Sequence, residues 1–132
     1  IIRRSDEYSI YAYEHDGYVA HVDSTASYYK ANMDILNPSV WEELFMGENS
    51  IYTKVKDEVP VQYKDTAVVK NSLIANGCII RGEVENSMQK CDVQENSLLE
   101  NVICDKNVVI TKEKWLKGAQ NYPLIVAKNV VI

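Results

Sequence analysis

Several things are missing or scarce in this 132-residue sequence, and each absence narrows what the chain can do. Basic residues do not dominate: 14 Lys and Arg stand against 19 Asp and Glu, leaving a net charge of −5. Without a basic stripe there is nothing to release counterions from a phosphate backbone, which argues against nucleic acid as ligand. The same acidic balance does not favour an anionic membrane surface. No apolar run approaches the roughly 20 residues needed to span a bilayer, and no signal-peptide pattern is visible. The three cysteines, Cys78, Cys91 and Cys104, are odd in number and lack C-x-x-C spacing. They read as reduced thiols in a cytoplasmic protein, not as a disulfide framework. Histidine is limited to His15 and His21, too few for a three-His zinc site within one chain. The opening "IIRRSDEYSI" has no initiator Met and reads as part of something longer.

What is present divides near residue 60. In the first half, "YSIYAYE" (8–14) and "YVAHV" (18–22) read as strands around an "HDGY" turn. A helix is expected over "DSTASYYKANMDIL", capped by Asp23 or Ser24 and ended by Asn37-Pro38. "PSVWEELF" (38–45) reads as a second, shorter helix closed by Gly47. "IYTKV" (51–55) returns to strand, and "KDEVP" reads as a polar connection.

The second half repeats itself. "VKNSL", "VENSM" and "LENVI" recur about every fifteen residues and hold Asn71, Asn86 and Asn101 in register. Aliphatic residues step by six: Val68, Ile74 and Ile80, then Val93 and Leu99, then Ile103 and Val109. Short apolar steps separated by Asn or Gly describe a triangular parallel solenoid with one inward side chain per side. Gly77 and Gly82 read as corners of its coils. The competing arrangement is a sandwich of short strands, whose hairpins have no reason to keep one dipeptide in register. One position breaks the pattern: Gln89 falls where Ile74 sits one repeat earlier. A buried Gln in an aliphatic column needs hydrogen-bond partners, so either a register shift or residues missing between Ser87 and Met88 is expected.

These stretches carry a family resemblance. "GYVAHVDSTASYYKANMDIL" (17–36), "IYTKVKDEVPVQY" (51–63), "VKNSLIANGCIIRGEVENS" (69–87) and "PLIVAKN" (123–129) look like the C-terminal part of a bacterial glucose-1-phosphate adenylyltransferase (ADP-glucose pyrophosphorylase). The chain is most similar to the non-catalytic, GlgD-type branch of that family. The resemblance implies a mainly β fold with a left-handed parallel β-helix, an exception to the usual crossover hand. It implies residues 1–48 as the α+β end of a nucleotidyltransferase domain, 49–65 as linker, and 66–132 as β-helix.

The resemblance also points at a site. Catalytic relatives carry a tryptophan, an arginine and an acidic residue in a W-x-D-V-G-T pattern, the acid holding the metal that bridges nucleotide and sugar phosphates. Here those positions read Val19, Ala20 and His21, followed by Val22, Asp23 and Ser24. Mg²⁺ prefers oxygen, so a neutral imidazole is a poor substitute. The Gly-rich phosphate-binding loop of the family is also absent from this sequence. The expectation is therefore a disabled site, with no catalytic, cofactor-binding or metal residues in this chain and Mg²⁺ with ATP only in a catalytic partner. The alternative is a hexapeptide-repeat acyltransferase, which would need a His base between coils, whereas His15 and His21 precede them. Lys54, Lys56, Lys64, Lys70 and Arg81 could meet an anionic effector but lie among acids, as on a solvated face. The expected partners are a catalytic adenylyltransferase subunit and further copies of the chain. Leu73 and Ile79 are the expected contact residues, with Trp41 as a helix anchor or interface residue.

Overall fold

Asparagine tolerates left-handed backbone better than other residues with a side chain, and the repeat places it where the chain must turn. The computed structural model describes residues 9–48, 50–52 and 56–132. In it Asn71, Asn86 and Asn101 have φ of 43°, 47° and 54°. Each begins a corner of a parallel β-solenoid.

The first side of the solenoid is a sheet of β2 (Val68–Lys70), β5 (Glu83–Glu85), β7 (Leu98–Glu100) and β9 (Trp115–Lys117), one strand from each coil. After the Asn corner, β3 (Leu73–Ile74) pairs with the start of β6 (Met88–Val93). That start in turn pairs with the start of β8 (Val102–Ile110), which pairs with β10 (Leu124–Val126). The third side joins β1 (Gln62–Tyr63) and β4 (Ile79–Ile80) to the ends of β6 and β8. All of these pairings are parallel. The first rung, β1, falls inside the stretch expected as linker.

Serine completes two of the Asn corners. Ser72 donates to the Lys70 carbonyl at 2.7 Å and accepts the Ser87 amide at 3.1 Å. Ser87 repeats this one coil on, donating to Glu85 O at 2.7 Å and accepting the Val102 amide at 3.1 Å. Side-chain amides add a rung, with Asn71 Nδ2 donating to Asn86 Oδ1 at 2.6 Å. Gly77 turns another corner with φ of 83°. Gly82 serves a different need, because a Cβ there would lie 2.5 Å from the Ser97 carbonyl oxygen and 2.8 Å from that of Gln94.

The core runs up the solenoid axis and includes Ile80, Val84, Val93, Leu99, Val102, Val108 and Ile110, with Cys78, Cys91 and Cys104. Its phase corrects the uniform six-residue step. Registered inward residues are Val69, Val84, Leu99 and Leu116 on the first side, and Ile74, Gln89, Cys104 and Val126 on the second. The Asn corner is one residue tighter than the others, so the step across it is five. Consequently Val68 is 41% exposed, while Val69 packs on the core. Ile103 and Val109 are only half-buried, because their neighbours Val102, Cys104, Val108 and Ile110 turn inward instead. Ile80, Val93 and Leu99 are fully buried as expected, and Ile74 packs against the core from a partly buried position.

The coil from Leu99 to Leu116 advances by five, six and six through Cys104 and Ile110. The two preceding coils are each two residues shorter, at different corners. Between Val69 and Val84 the saving is at Arg81-Gly82, which is why a side chain does not fit at Gly82. Between Val84 and Leu99, β6 runs straight through the second corner, and its pairing with β8 shifts around Lys90. This is the register shift anticipated at Gln89. Gln89 is buried; its Oε1 accepts from Cys91 Sγ at 3.3 Å, while Nε2 has no partner.

The helical segment follows its local signals. Helix α1 (Thr25–Asp34) is capped by Ser24 with Ser27 in a reciprocal capping box, and α2 (Pro38–Phe45) by Asn37 with Pro38 in its first turn. The two expected strands before α1 do not form over residues 9–22. Ile10, Tyr11, Tyr13, Val19 and Val22 are exposed there. A strand needs a neighbour for its backbone groups, and among the described residues this stretch has none. Ile51 and Tyr52 are likewise exposed and not in a strand; Thr53 to Val55, the rest of that expected strand, lie outside the described residues.

Candidate functional site

Ser24 starts α1 at the end of the stretch that carries Val19, Ala20 and His21. All three are exposed, and the imidazole Nδ1 lies 3.5 Å from Asp23 Oδ2. With His21 and Asp23 side chains 86% and 64% exposed, this is a solvated pair. It offers one carboxylate, whereas Mg²⁺ takes several oxygens in a near-octahedral shell. Among the described residues no three His, Cys, Asp or Glu side chains are grouped to hold a metal. The residues present do not fit the family's metal site. His15 and His21 both precede the coils in the chain and are exposed.

Helix α1 lies beside the second side of the solenoid. Between them runs a groove of about 1000 Å³ bounded by Val22, Asp23, Thr25 and Tyr28 on one wall. Its floor is an apolar column with one residue per coil: Leu73, Met88, Ile103 and Ile125, in register. Leu73 therefore belongs to this floor. Ile79 faces outward on the third side, in register with Asp92 and Val109. The structure thus separates the two expected contact residues onto different sides. Trp41 is half exposed, its ring 6.3 Å from Phe45 of its own helix.

The residue that ties the helices to the solenoid is Tyr29, which the sequence left undistinguished within "SYYK". It is the buried residue of α1, and its hydroxyl donates to the Asn86 carbonyl and lies 3.3 Å from Asn101 Oδ1. Burial pushes its phenol pKa up. The preceding stretch is held to the helices by Tyr18. Its amide donates to Glu43 Oε1 at 2.6 Å and its hydroxyl to Asp34 Oδ2 at 3.0 Å. Lys30 also donates to Asp34, at 2.7 Å, and this bond holds the carboxyl below its usual range.

The cations considered for an effector are partly committed. Arg81 pairs with Asp92 at 2.7 Å and approaches Glu95 at 3.8 Å. Lys64 donates to Gln62 at 3.0 Å, and Lys54 lies outside the described residues. The described residues form no basic cluster at the groove: Lys90 there is bonded to Glu58 at 2.5 Å, and Lys106 stands beside Asp105. Among the described residues no helix is long and apolar enough to cross a membrane.

Comparison with known proteins agrees with the features seen in the sequence. The chain is 39% identical to the glycogen biosynthesis protein GlgD of Bacillus subtilis (strain 168), over 98% of this chain and 43% of that protein. A shorter match to GlgD of Geobacillus stearothermophilus is 53% identical over 58 residues, 44% of this chain and 17% of that protein. Glucose-1-phosphate adenylyltransferase of Desulfitobacterium hafniense (strain DSM 10664 / DCB-2) is 30% identical over 93% of this chain and 30% of its own length. The chain thus spans less than half the length of these relatives. The Bacillus alignment covers 148 positions, more than the 132 residues of this chain, so that relative carries additional residues within the aligned region. No family profile matches the chain, and no solved structure matches it.

Proposed function

The chain belongs to the glucose-1-phosphate adenylyltransferase family, on its GlgD side, and from that premise we propose that it is the C-terminal part of a non-catalytic subunit in ADP-glucose and glycogen synthesis. The single observation that carries this reading is the exposed Val19-Ala20-His21 stretch, which holds no carboxylate where catalytic relatives place their metal-binding acid. The protein acts by contact, modulating a catalytic adenylyltransferase subunit that uses Mg²⁺ and ATP, and the solenoid supplies surfaces for that partner and for further copies of itself. Residues 1–48 end the nucleotidyltransferase domain, 49–65 connect and supply the first rung β1, and 66–132 form the rest of a left-handed β-helix in a cytoplasmic protein. Supporting this division, residues 9–22 expose Ile10, Tyr11, Tyr13, Val19 and Val22 and have no neighbouring strand among the described residues. A sheet from the preceding domain would satisfy them.

The test is turnover by the purified full-length protein. It forms no measurable ADP-glucose from ATP and glucose 1-phosphate, and His21→Asp does not restore good activity, because Val19 and Ala20 also depart from the catalytic pattern. Robust turnover by the unmodified protein, with contaminating enzyme excluded, contradicts the reading.

A further inference from the structure

Equivalent corners of successive coils make different hydrogen bonds, and whether a serine follows the asparagine decides which. At the corner of Asn101 the Leu124 amide of the following coil donates to the Asn101 carbonyl at 3.0 Å. At the corner of Asn86 the corresponding donor is the Val102 amide, which goes instead to Ser87 Oγ at 3.1 Å. The difference lies in the residue after asparagine: Ser87 has a hydroxyl and Val102 has none. Diverting the amide leaves the Asn86 carbonyl to accept from Tyr29, 57 residues earlier in the chain. The helix thus replaces a rung that the next coil would otherwise supply.

We propose that Ser87 and Tyr29 form a latch that sets where the helical segment docks on the solenoid. The phenol has one proton and two nearby acceptors, the Asn86 carbonyl and Asn101 Oδ1. Donation of Asn101 Nδ2 to the Gly118 carbonyl at 3.2 Å turns that amide's oxygen towards Tyr29. The hydroxyl therefore sits across two consecutive coils, and Asn71 Nδ2 extends the network to a third through Asn86 Oδ1. Little else clamps α1: Tyr29 is its one buried residue, and an open groove lies along its flank. On the far side, Lys30 and Tyr18 meet on Asp34, so the latch also positions the stretch that leads from Tyr18 into Val19–His21. This goes beyond the proposed subunit role and holds whichever partner the solenoid meets.

Hydrogen exchange in the full-length protein tests the latch. Tyr29→Phe removes one hydrogen bond and fills the same space. It speeds exchange of the 25–34 amides about three- to tenfold and leaves the buried strands β6 and β8 unchanged. Ser87→Ala returns the Val102 amide to the Asn86 carbonyl and produces the same rise at 25–34. Ser87→Thr, which keeps the hydroxyl, exchanges as the parent does. Because both residues act through one bond, Tyr29→Phe with Ser87→Ala exchanges no faster at 25–34 than either single variant. Unchanged exchange at 25–34 in Tyr29→Phe overturns the proposal even if Ser87→Ala fails to fold. So does a double variant whose acceleration equals the product of the two singles.

Discussion

Val108 and Val109 are neighbours in β8 with the same side chain, and the fold assigns them opposite directions. Val108 is 1% exposed beside Val102 and Ile110, whereas Val109 is half-buried and faces outward. Truncating Val108 to Ala deletes two buried methyl groups, about 1.6 kcal/mol at ~0.8 kcal/mol each. A cavity contribution adds to this because β6 on one side and residues 129–132 on the other flank this end of the strand and hold the surrounding backbone. The expected total is about 2–3 kcal/mol. At Val109 much of the side chain already meets solvent, so truncation costs under about 1 kcal/mol. Urea unfolding of the two variants, followed by far-ultraviolet circular dichroism, measures the difference as a shift in midpoint at unchanged slope. A Val109→Ala variant less stable than Val108→Ala would refute the register and the core built on it.

Two further expectations use the ionisable groups. Lys30 holds the Asp34 carboxyl below 3.8, so its folded form is the more acidic. That contribution to stability is present above pH ~4 and is lost as pH falls through the depressed folded value. Asp34→Asn should therefore flatten the acid limb of a stability–pH curve below pH ~4, and an unchanged limb would show the pair contributes nothing. Burial pushes the Cys78 thiol up, and the nearby Cys104 thiol together with burial does the same to Cys91. Both should resist alkylation by iodoacetamide at pH 8 in the native protein and react once urea is added; equal rates in both conditions would place them outside the core.

The corners were readable in the sequence because left-handed backbone leaves few choices of residue, and Asn71, Asn86 and Asn101 announced them. The repeat interval followed from those corners. The inward phase did not, since a side chain's direction depends on how many residues each corner consumes. One residue fewer at the Asn corner was enough to misplace Val68, while Ile103 and Val109 were placed by their aliphatic side chains although the inward positions are Cys104 and Ile110, one residue further on. Gln89 was conspicuous because a polar residue in an aliphatic column must be accommodated, and the shifted pairing around Lys90 is where that happens. Helix caps at Ser24 and Asn37 are local and were legible. The strands expected before α1 depended on neighbours that local composition cannot supply. Tyr29 carried no sequence signal, because its value comes from a carbonyl 57 residues away that Ser87 leaves available.

The central claim is that this protein works by contact with a catalytic subunit. Its most direct test is the steady-state kinetics of that purified subunit, with and without the full-length protein added at equimolar concentration and above. The account predicts that the pair co-purifies and that kcat or KM for ATP or glucose 1-phosphate changes, saturating with added protein. Co-purification with unchanged kinetics at saturation, or no complex at all, would contradict it.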